Sequence, residues 1–226
     1  SILSGLPLDN PLALKFAGRF TVAGDVKNSL KLTKEAGLTP DKLRALIQAN
    51  IAYIDMIEQD LSEITAKSLS HKTLRDLQEK IHALPDHKID AHIAPLKSLS
   101  TVIKDSLNNA IEQDEPTGKT KNTGEWKKLW VQKVAGERGM HKERAKNEWW
   151  LNLADVYEEY RRQLHLRGYY DYSDMLVEVL TQIEQHADLR ADIQERYLYV
   201  MIDEFQDTNA AQLRLAHLVA DHHAAD

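Results

Sequence analysis

The sequence has no cysteine, only 9 glycines and only 6 prolines among its 226 residues. The lack of cysteine excludes disulfide scaffolds and metal sites built on cysteine ligands. It is also compatible with the reducing environment of the cytoplasm, where we expect the protein to be located. No run of about 18 apolar residues occurs, which excludes a membrane-spanning helix and predicts no membrane partner. The scarcity of glycine and proline favours long helices with few joints.

The remaining composition is that of a folded globular chain. Hydrophobic residues make up 42% and charged residues 28% of the sequence, and the length predicts one or two domains. The formal charge of −6 argues against a uniformly basic coat for nucleic acid, although it leaves local patches open. The chain begins at Ser1 without a basic leader, so we expect no signal peptide and an excised piece of a longer protein.

Apolar residues recur at helical spacing in three runs, over residues 43–64, 74–84 and 89–107. This pattern predicts antiparallel packed helices. A dimerising coiled coil is the less favoured alternative, because no run sustains more than about four heptads. Gly37 is predicted to end a helix that starts near residue 25, and Thr39 with Pro40 to begin the next. Later helices are predicted at about 140–165, 173–187 and 208–221.

One segment has the character of a β-strand. Residues 197–202 (YLYVMI) form a nearly continuous apolar, β-prone run, as in a central parallel strand covered on both faces. The predicted fold class is therefore mainly α, with one clear parallel-type strand. A lone strand of this kind exposes unpaired backbone groups, so we expect it to pair with a second copy, lie under helices or be poorly ordered.

Two acidic residues, Asp203 and Glu204, follow this strand and begin the heptad DEFQDTN. In nucleotide hydrolases the first acid of such a pair holds Mg²⁺, and the second positions or deprotonates the attacking water. The alternative is structural: the acids end the strand, and one of Asp207, Thr208 and Asn209 caps the next helix.

A second segment, Gly118-Lys119-Thr120, has the ending of a phosphate-binding loop. The full pattern GxxxxGK[ST] needs a glycine where the sequence has Gln113, and a strand before it, which the sequence does not predict. We therefore predict that this segment is not a nucleotide site.

The acidic heptad carries a resemblance to a known family. Residues 199–212 (YVMIDEFQDTNAAQ) are similar to the Walker B motif of UvrD/Rep/PcrA-like superfamily 1 DNA helicases, and residues 168–176 (GYYDYSDML) are similar to a segment that precedes it. The likeness is specific over residues 150–221. It implies a partial RecA-like ATPase domain over residues 150–226 and a helical insertion subdomain over residues 1–149. Within the insertion, the composition of residues 112–124 (EQDEPTGKTKNTG) predicts a loop, and residues 112–146 are a candidate DNA-contacting loop.

The resemblance also implies a function, which is ATP hydrolysis coupled to translocation on single-stranded DNA and to duplex unwinding, with 3′-to-5′ polarity. It implies that Asp203 binds Mg²⁺, that Glu204 is the catalytic base at the nucleotide site, and that Gln206 and Asp207 link the ATP site to neighbouring elements. Because the family's phosphate-binding loop is missing here, Mg²⁺ and ATP are expected as cofactors of the full-length parent only, and this chain is expected to be inactive alone.

Two alternatives to this function stay open. One is a fragment of a helicase–nuclease subunit for recombination and repair. The other is a non-catalytic helical module that binds DNA or protein and keeps a vestigial Walker B motif. An intact phosphate-binding loop in the upstream sequence would favour the helicase. The expected partners are DNA, as single strands and single/double-strand junctions, and the remainder of the helicase chain.

A basic stretch is the third feature with a chemical meaning. Residues 119–146 contain nine lysines and arginines against three acids, on a chain of net charge −6. Basic side chains can neutralise phosphates, and aromatic rings can stack on bases. The alternative is a solvated surface with the tryptophans buried between helices. The candidate DNA-binding residues are Lys127, Lys128, Lys133, Lys142, Trp126 and Trp130.

Overall fold

The computed structural model describes residues 2–7, 9–16, 18–89, 97–197 and 199–220, and these residues are mostly helical, as predicted. They group into two compact units, one of residues 1–44 with 152–226 and one of residues 45–151. The sequence-based division near residue 149 lies close to the end of the second unit, whereas residues 1–44 group with the C-terminal part. None of the described helices is long and apolar enough to cross a lipid bilayer.

The α-helices of the described residues are α1 (Ala23–Glu35), α2 (Pro40–Ala66), α3 (Leu74–His82), α4 (Leu99–Asp114), α5 (Lys121–Trp130), α6 (His141–Leu166), α7 (Tyr172–Gln185), α8 (Ala187–Arg196) and α9 (Ala210–Ala220). The strands are β1 (Lys15–Phe16) with β2 (Arg19–Phe20), and β3 (Gln132–Val134) with β4 (Glu137–Gly139); both pairs are antiparallel.

The joint between α1 and α2 confirms the local prediction. Gly37 has φ +70, and the Leu38 amide donates to the Thr33 carbonyl over 3.1 Å, which together form a Schellman-type helix end. The Thr39 hydroxyl oxygen then accepts a hydrogen bond from the Lys42 amide at 3.2 Å and caps α2. The two helices are therefore separated by only a few residues whose conformation is locally determined.

Each unit has its own apolar core. In residues 45–151 the core joins α2, α3, α4, α5 and Met140, which directly precedes α6, and the three predicted runs supply it where they are described; Ile93 and Leu96 lie outside the described residues. In the first unit, α1, α7, α8 and α9 pack against one another. Its largest fully buried side chains include Leu12, Leu153, Tyr157, Val177 and Leu180.

The predicted loop over residues 112–146 is wrong, because most of it is regular structure. Asp114, 1% exposed, accepts hydrogen bonds from the backbone and side chains of Asn122 and Thr123 and so fixes the first turn of α5. Ala135 and Gly136, both with positive φ, form the two-residue turn between β3 and β4. The segment is a helix followed by a hairpin.

The predicted strand over residues 197–202 is not confirmed. Residues 197 and 199–202 have no strand conformation, and residue 198 lies outside the described part of the chain. Tyr199 is 86% and Met201 92% exposed. A strand needs a hydrogen-bonding neighbour, and the sheets of the described residues are only the two short antiparallel pairs.

Candidate functional site

The acidic motif forms a tight turn directly before α9. Phe205–Asp207 is one turn of 3-10 helix, in which the Asp207 amide donates to the Glu204 carbonyl over 2.9 Å. Glu204 has φ +48, in the left-handed region that costs a residue with a side chain roughly 1–2 kcal/mol. Strained backbone of this kind is concentrated at functional sites, so the turn marks Glu204 as a candidate on geometric grounds.

Side chains within the motif hold the turn together. One carboxylate oxygen of Asp203 accepts a hydrogen bond from the Glu204 amide at 2.9 Å. The side-chain amide of Gln206 donates to the Glu204 carboxylate. Asp203 thus supports the backbone of Glu204, and Gln206 restrains its side chain.

The cap of α9 is a separate pair of residues. The Gln212 amide donates to the side-chain oxygen of Asn209 at 2.9 Å, and the Asn209 amide donates to the side-chain oxygen of Gln212 at 3.0 Å. This reciprocal pair is a capping box. Capping of α9 therefore explains Asn209 but gives no reason for the carboxylates of Asp203, Glu204 or Asp207.

The structure brings three of the predicted site residues to one concavity of about 330 Å³ within the first unit. Its polar lining is Asp203, Glu204, Asp207, Thr208 and Gln212, and Ile202 and Ala216 complete the wall. The carboxylates are exposed to solvent. The arrangement offers oxygen ligands and a proton acceptor on one open surface.

This donor set fits Mg²⁺ in one particular way. Carboxylate and hydroxyl oxygens are the ligands that this ion prefers. Among the described residues no group of three or more His, Asp or Glu side chains could hold a metal ion by itself. Mg²⁺ is usually held by one or two carboxylates together with water and substrate phosphates, and the carboxylates that line the concavity are oxygen donors of the kind that such a shell requires.

A buried charge cluster in the same unit was missed by sequence reasoning. Lys34, on α1, places its ammonium nitrogen 2.5 Å from an oxygen of Asp171 and 2.9 Å from one of Asp174. Asp171 also caps α7 by accepting a hydrogen bond from the Asp174 amide, and it accepts another from the Tyr160 hydroxyl. The motif GYYDYSDML thus ties α7 to α1 and α6, and no sequence signal paired it with Lys34, which lies 137 residues from Asp171.

The pKa values of the two carboxyl groups in this cluster are shifted in opposite directions. Burial works to raise the pKa of Asp171, but Lys34, the Asp174 amide and Tyr160 outweigh it, and the pKa is lowered. Burial also raises the pKa of Asp174, and there it prevails over the lowering effect of Lys34. Desolvation likewise raises the pKa of the Tyr160 hydroxyl.

The basic residues lie together in the second unit. Lys127, Lys128 and Arg138 line one shallow concavity, and Lys128 and Lys142 line another. Lys133 stands directly opposite Arg138 in the β3–β4 pair. Like charges in this cross-strand position destabilise a sheet, and both burial and the charge of Arg138 lower the pKa of Lys127. We call Lys127, Lys128, Lys133, Arg138 and Lys142 the basic surface.

Trp126 and Trp130 do not belong to that surface. They are 4% and 5% exposed, and both indole nitrogens donate to the Ser106 hydroxyl, at 3.0 Å and 3.3 Å. In this conformation neither ring can stack on a base, so their assignment as DNA contacts is wrong. Their i, i+4 spacing is that of a helix face packed into the core.

The comparisons with known proteins bear on this geometry. A family model described as the UvrD/REP helicase N-terminal domain matches residues 26–225. The chain is 24% identical over 219 residues to the putative ATP-dependent DNA helicase YjcD of Bacillus subtilis, covering 96% of this chain and 25% of that protein. It is 34% identical over 68 residues to the ATP-dependent DNA helicase PcrA of Staphylococcus aureus, covering 30% of this chain and 9% of that protein.

A probable DNA helicase II homolog of Rickettsia conorii is 35% identical over 65 residues, covering 29% of this chain and 10% of that protein. No solved structure gives a significant match. The chain therefore spans about a quarter of the length of the Bacillus protein, which it matches over nearly its own full length.

Proposed function

The chain belongs to the UvrD/REP helicase N-terminal domain family, and on that basis we propose that it forms part of the ATP-hydrolysing domain of an ATP-dependent DNA helicase. The observation that carries the proposal is the turn at Glu204. This turn places Asp203, Glu204 and Asp207 around one concavity, although another pair of residues already caps the following helix.

The proposed roles follow from the contacts in the turn. Asp203 would hold Mg²⁺ together with the phosphates of ATP, and the ion would neutralise charge that develops on the transferred phosphoryl group. Glu204 would accept the proton of the attacking water. Gln206 would orient Glu204 through its side-chain hydrogen bond. Asp207 would link the nucleotide site to α9, which begins three residues later in the chain.

The phosphates of ATP need donors that these residues lack. No GxxxxGK[ST] sequence occurs in the 226 residues, and Gly118 ends a 3-10 turn that follows α4 rather than a strand. Exposed carboxylates alone repel an anionic nucleotide. The residues described here would therefore neither bind ATP tightly nor hydrolyse it alone. A phosphate-binding loop elsewhere in a longer protein would complete the site. The polarity of movement expected from the family is 3′-to-5′.

Replacing Glu204 by glutamine in the complete protein tests this assignment. Glu204→Gln is nearly isosteric but cannot take a proton, so kcat for ATP hydrolysis should fall by about 10²–10⁴-fold while Mg-ATP binding is kept. The matched control is Glu195→Gln, an exposed acid on α8, which should behave as the wild type. If Glu204→Gln retained more than about a tenth of wild-type kcat, the base would be another residue.

Asp203 is tested by its dependence on the ion. Asp203→Asn removes a charge from the proposed Mg²⁺ shell, so the variant should need more Mg²⁺ for half-maximal activity. The measurement is steady-state ATPase activity across a Mg²⁺ titration. An unchanged Mg²⁺ requirement would contradict the role of Asp203.

We further propose that the basic surface contacts the phosphates of DNA. Its closely spaced cations repel one another, and this repulsion lowers the stability of the fold. A phosphate anion bound between the cations would relieve the repulsion. Changing Lys127, Lys128, Lys133 and Lys142 to glutamine should reduce the slope of log affinity against log salt by up to about 0.9 per lost duplex contact.

The control for this experiment changes four exposed lysines away from the basic surface, namely Lys27, Lys31, Lys72 and Lys88. It removes the same total charge. Equal slopes for the two quadruple variants would show that only net charge matters and would contradict the proposed surface.

A further inference from the structure

One concavity of the second unit, of about 350 Å³, lies among the end of α2, the helix α5 and the strand β4. Its polar wall includes Thr65, Lys67, Lys127 and Arg138, and Gly124 forms part of one side. Small-ligand sites usually have volumes of about 300–1,000 Å³. The concavity is therefore large enough for a small polar group.

Neutral groups hold two cations at the wall of this concavity. The Lys127 ammonium donates to the Lys67 carbonyl at 2.7 Å, and the Arg138 guanidinium donates to the Thr65 hydroxyl oxygen at 3.2 Å. Thr65 is 1% exposed, and its hydroxyl donates in turn to the Leu61 carbonyl at 2.8 Å. The two cations are thus positioned by partners that carry no charge.

The protein does not neutralise these two charges. Arg144, in the same unit, forms ion pairs with Asp55 and Glu58, whereas within the described part of the chain no acidic side chain pairs with Lys127 or Arg138. Burial and then the charge of Arg138 lower the pKa of Lys127. An ammonium has three donors and a guanidinium five, so each cation keeps further N–H groups, as charge-assisted binding of an anion requires.

Gly124 gives an independent reason to expect a ligand here. It lies inside α5, where glycine is less favourable than alanine. A Cβ built on Gly124 would meet no atom within 4 Å, and its φ is not positive. Neither packing nor backbone conformation in the described residues therefore requires glycine at this position. Close approach of a ligand to the helix is a reason of the kind that glycine serves elsewhere.

We propose that this concavity binds a phosphomonoester, namely the terminal phosphate of a DNA strand. The inference rests on the proposed contact of the basic surface with DNA. A terminal phosphate has a charge of about −1.5 to −2 at pH 7 and three acceptor oxygens, whereas a phosphodiester inside a strand has a single charge and continues in both directions. Only a group at the end of a strand can enter a concavity and face both cations. Arg138 would hold two of its oxygens, and Lys127 would hold the third.

The test is equilibrium binding of the complete protein to internally labelled single-stranded oligonucleotides that differ only in one terminal group. The measured quantity is the Kd for the hydroxyl end divided by the Kd for the phosphate end, taken separately for 5′ and 3′ ends. We expect a ratio of about ten for at least one end, because a hydrogen bond to a charged group is worth about that factor or more. The ratio should fall close to one in Lys127→Gln and in Arg138→Gln.

Two further variants separate this site from general charge and from folding. Lys133 belongs to the basic surface but does not line the concavity, so Lys133→Gln should weaken binding of both oligonucleotides alike and keep the ratio. Gly124→Ala adds one methyl group to the wall and should lower the ratio. Its unfolding midpoint should be at least that of wild type, because alanine is the better helix former.

A wild-type ratio close to one would overturn this inference alone, and so would a ratio that Lys127→Gln, Arg138→Gln and Gly124→Ala all leave unchanged. Inorganic phosphate should compete better with the phosphorylated oligonucleotide than with its hydroxyl counterpart. If inorganic phosphate bound while the two oligonucleotides had equal affinities, the ligand would be a free phosphorylated molecule, and the assignment to a strand end would be wrong. Equal salt slopes for the two quadruple lysine variants would instead overturn the proposed DNA contact itself.

Discussion

Asp114 is a buried hydrogen-bond acceptor in the second unit, and its removal should destabilise that unit selectively. Its two oxygens accept four hydrogen bonds of 2.8–3.0 Å from Asn122 and Thr123, and the side chain is buried. Loss of a helix cap costs about 0.5–2 kcal/mol. Leaving a buried donor unpaired costs about 1–3 kcal/mol. We expect Asp114→Ala to lower the free energy of unfolding by about 3 kcal/mol.

The assay can be confined to this unit because all four tryptophans of the protein, at positions 126, 130, 149 and 150, lie within residues 45–151. Urea unfolding followed by tryptophan fluorescence therefore reports on α5 and its core. Asp114→Asn should give an intermediate loss, since an amide keeps one acceptor oxygen. Glu115→Ala, an exposed neighbour, is the control and should change little.

Acid should remove the same stabilisation. Burial works to raise the pKa of Asp114, but the hydrogen bonds from Thr123 and Asn122 outweigh it and lower the pKa. The contribution of Asp114 is therefore fully present above the ordinary pKa of about 3.8 and is lost as pH falls through the lowered value. A loss below about 1 kcal/mol in Asp114→Ala at neutral pH, or no difference from Glu115→Ala, would refute the reasoning.

Three further substitutions test the packing. Gly37→Ala should destabilise the first unit by about 1–2 kcal/mol in thermal unfolding followed by circular dichroism, because φ is +70 and the new methyl group would crowd Leu180; a neutral result would show that the joint can relax. Burial lowers the pKa of His87, opposed by a backbone hydrogen bond at Ala49, so the unfolded chain binds the proton more readily and stability should fall as pH drops below about 6.5. That pH dependence should weaken in His87→Asn, and equal profiles in unfolding experiments from pH 5 to 8 would contradict it. Trp126→Phe should lower the free energy of unfolding by about 1–2 kcal/mol, because it removes the indole hydrogen bond and part of the packing. Its DNA affinity should stay within twofold of wild type in binding titrations, and a large loss of affinity would show that the ring reaches DNA.

Local rules explain which parts of the fold were predictable. The end of α1 at Gly37 and the start of α2 at Thr39 and Pro40 depend on contacts within five residues, and both were predicted from the sequence. The start of α5 depends on Asp114, eight residues from Asn122, and the intervening charged and glycine residues suggested a loop. The β3–β4 turn was missed because Ala135 is an unusual residue at positive φ.

The segment at residues 197–202 fails for a different reason. Its composition is that of a strand, but β-structure is a property of paired segments, because each backbone donor and acceptor needs a neighbour. The sequence indicates the preference of the segment and carries no information about where its partner lies. The same limit applies to Lys34, whose contacts with Asp171 and Asp174 join positions far apart in the chain.

The acidic turn at residues 203–207 shows both locally determined structure and dependence on residues far away in the chain. Its shape is local: the Asp203 side chain supports the Glu204 amide, and Gln206 restrains the Glu204 carboxylate. Its chemistry is not local, because adjacent carboxylates repel each other and the left-handed backbone at Glu204 costs free energy. Strained arrangements of this kind are concentrated at active sites and ligand-binding sites. A cation shared with phosphate groups would relieve the repulsion, and the phosphates would need donors from outside the turn. The motif is therefore recognisable in the sequence, whereas the activity proposed for it would depend on residues elsewhere.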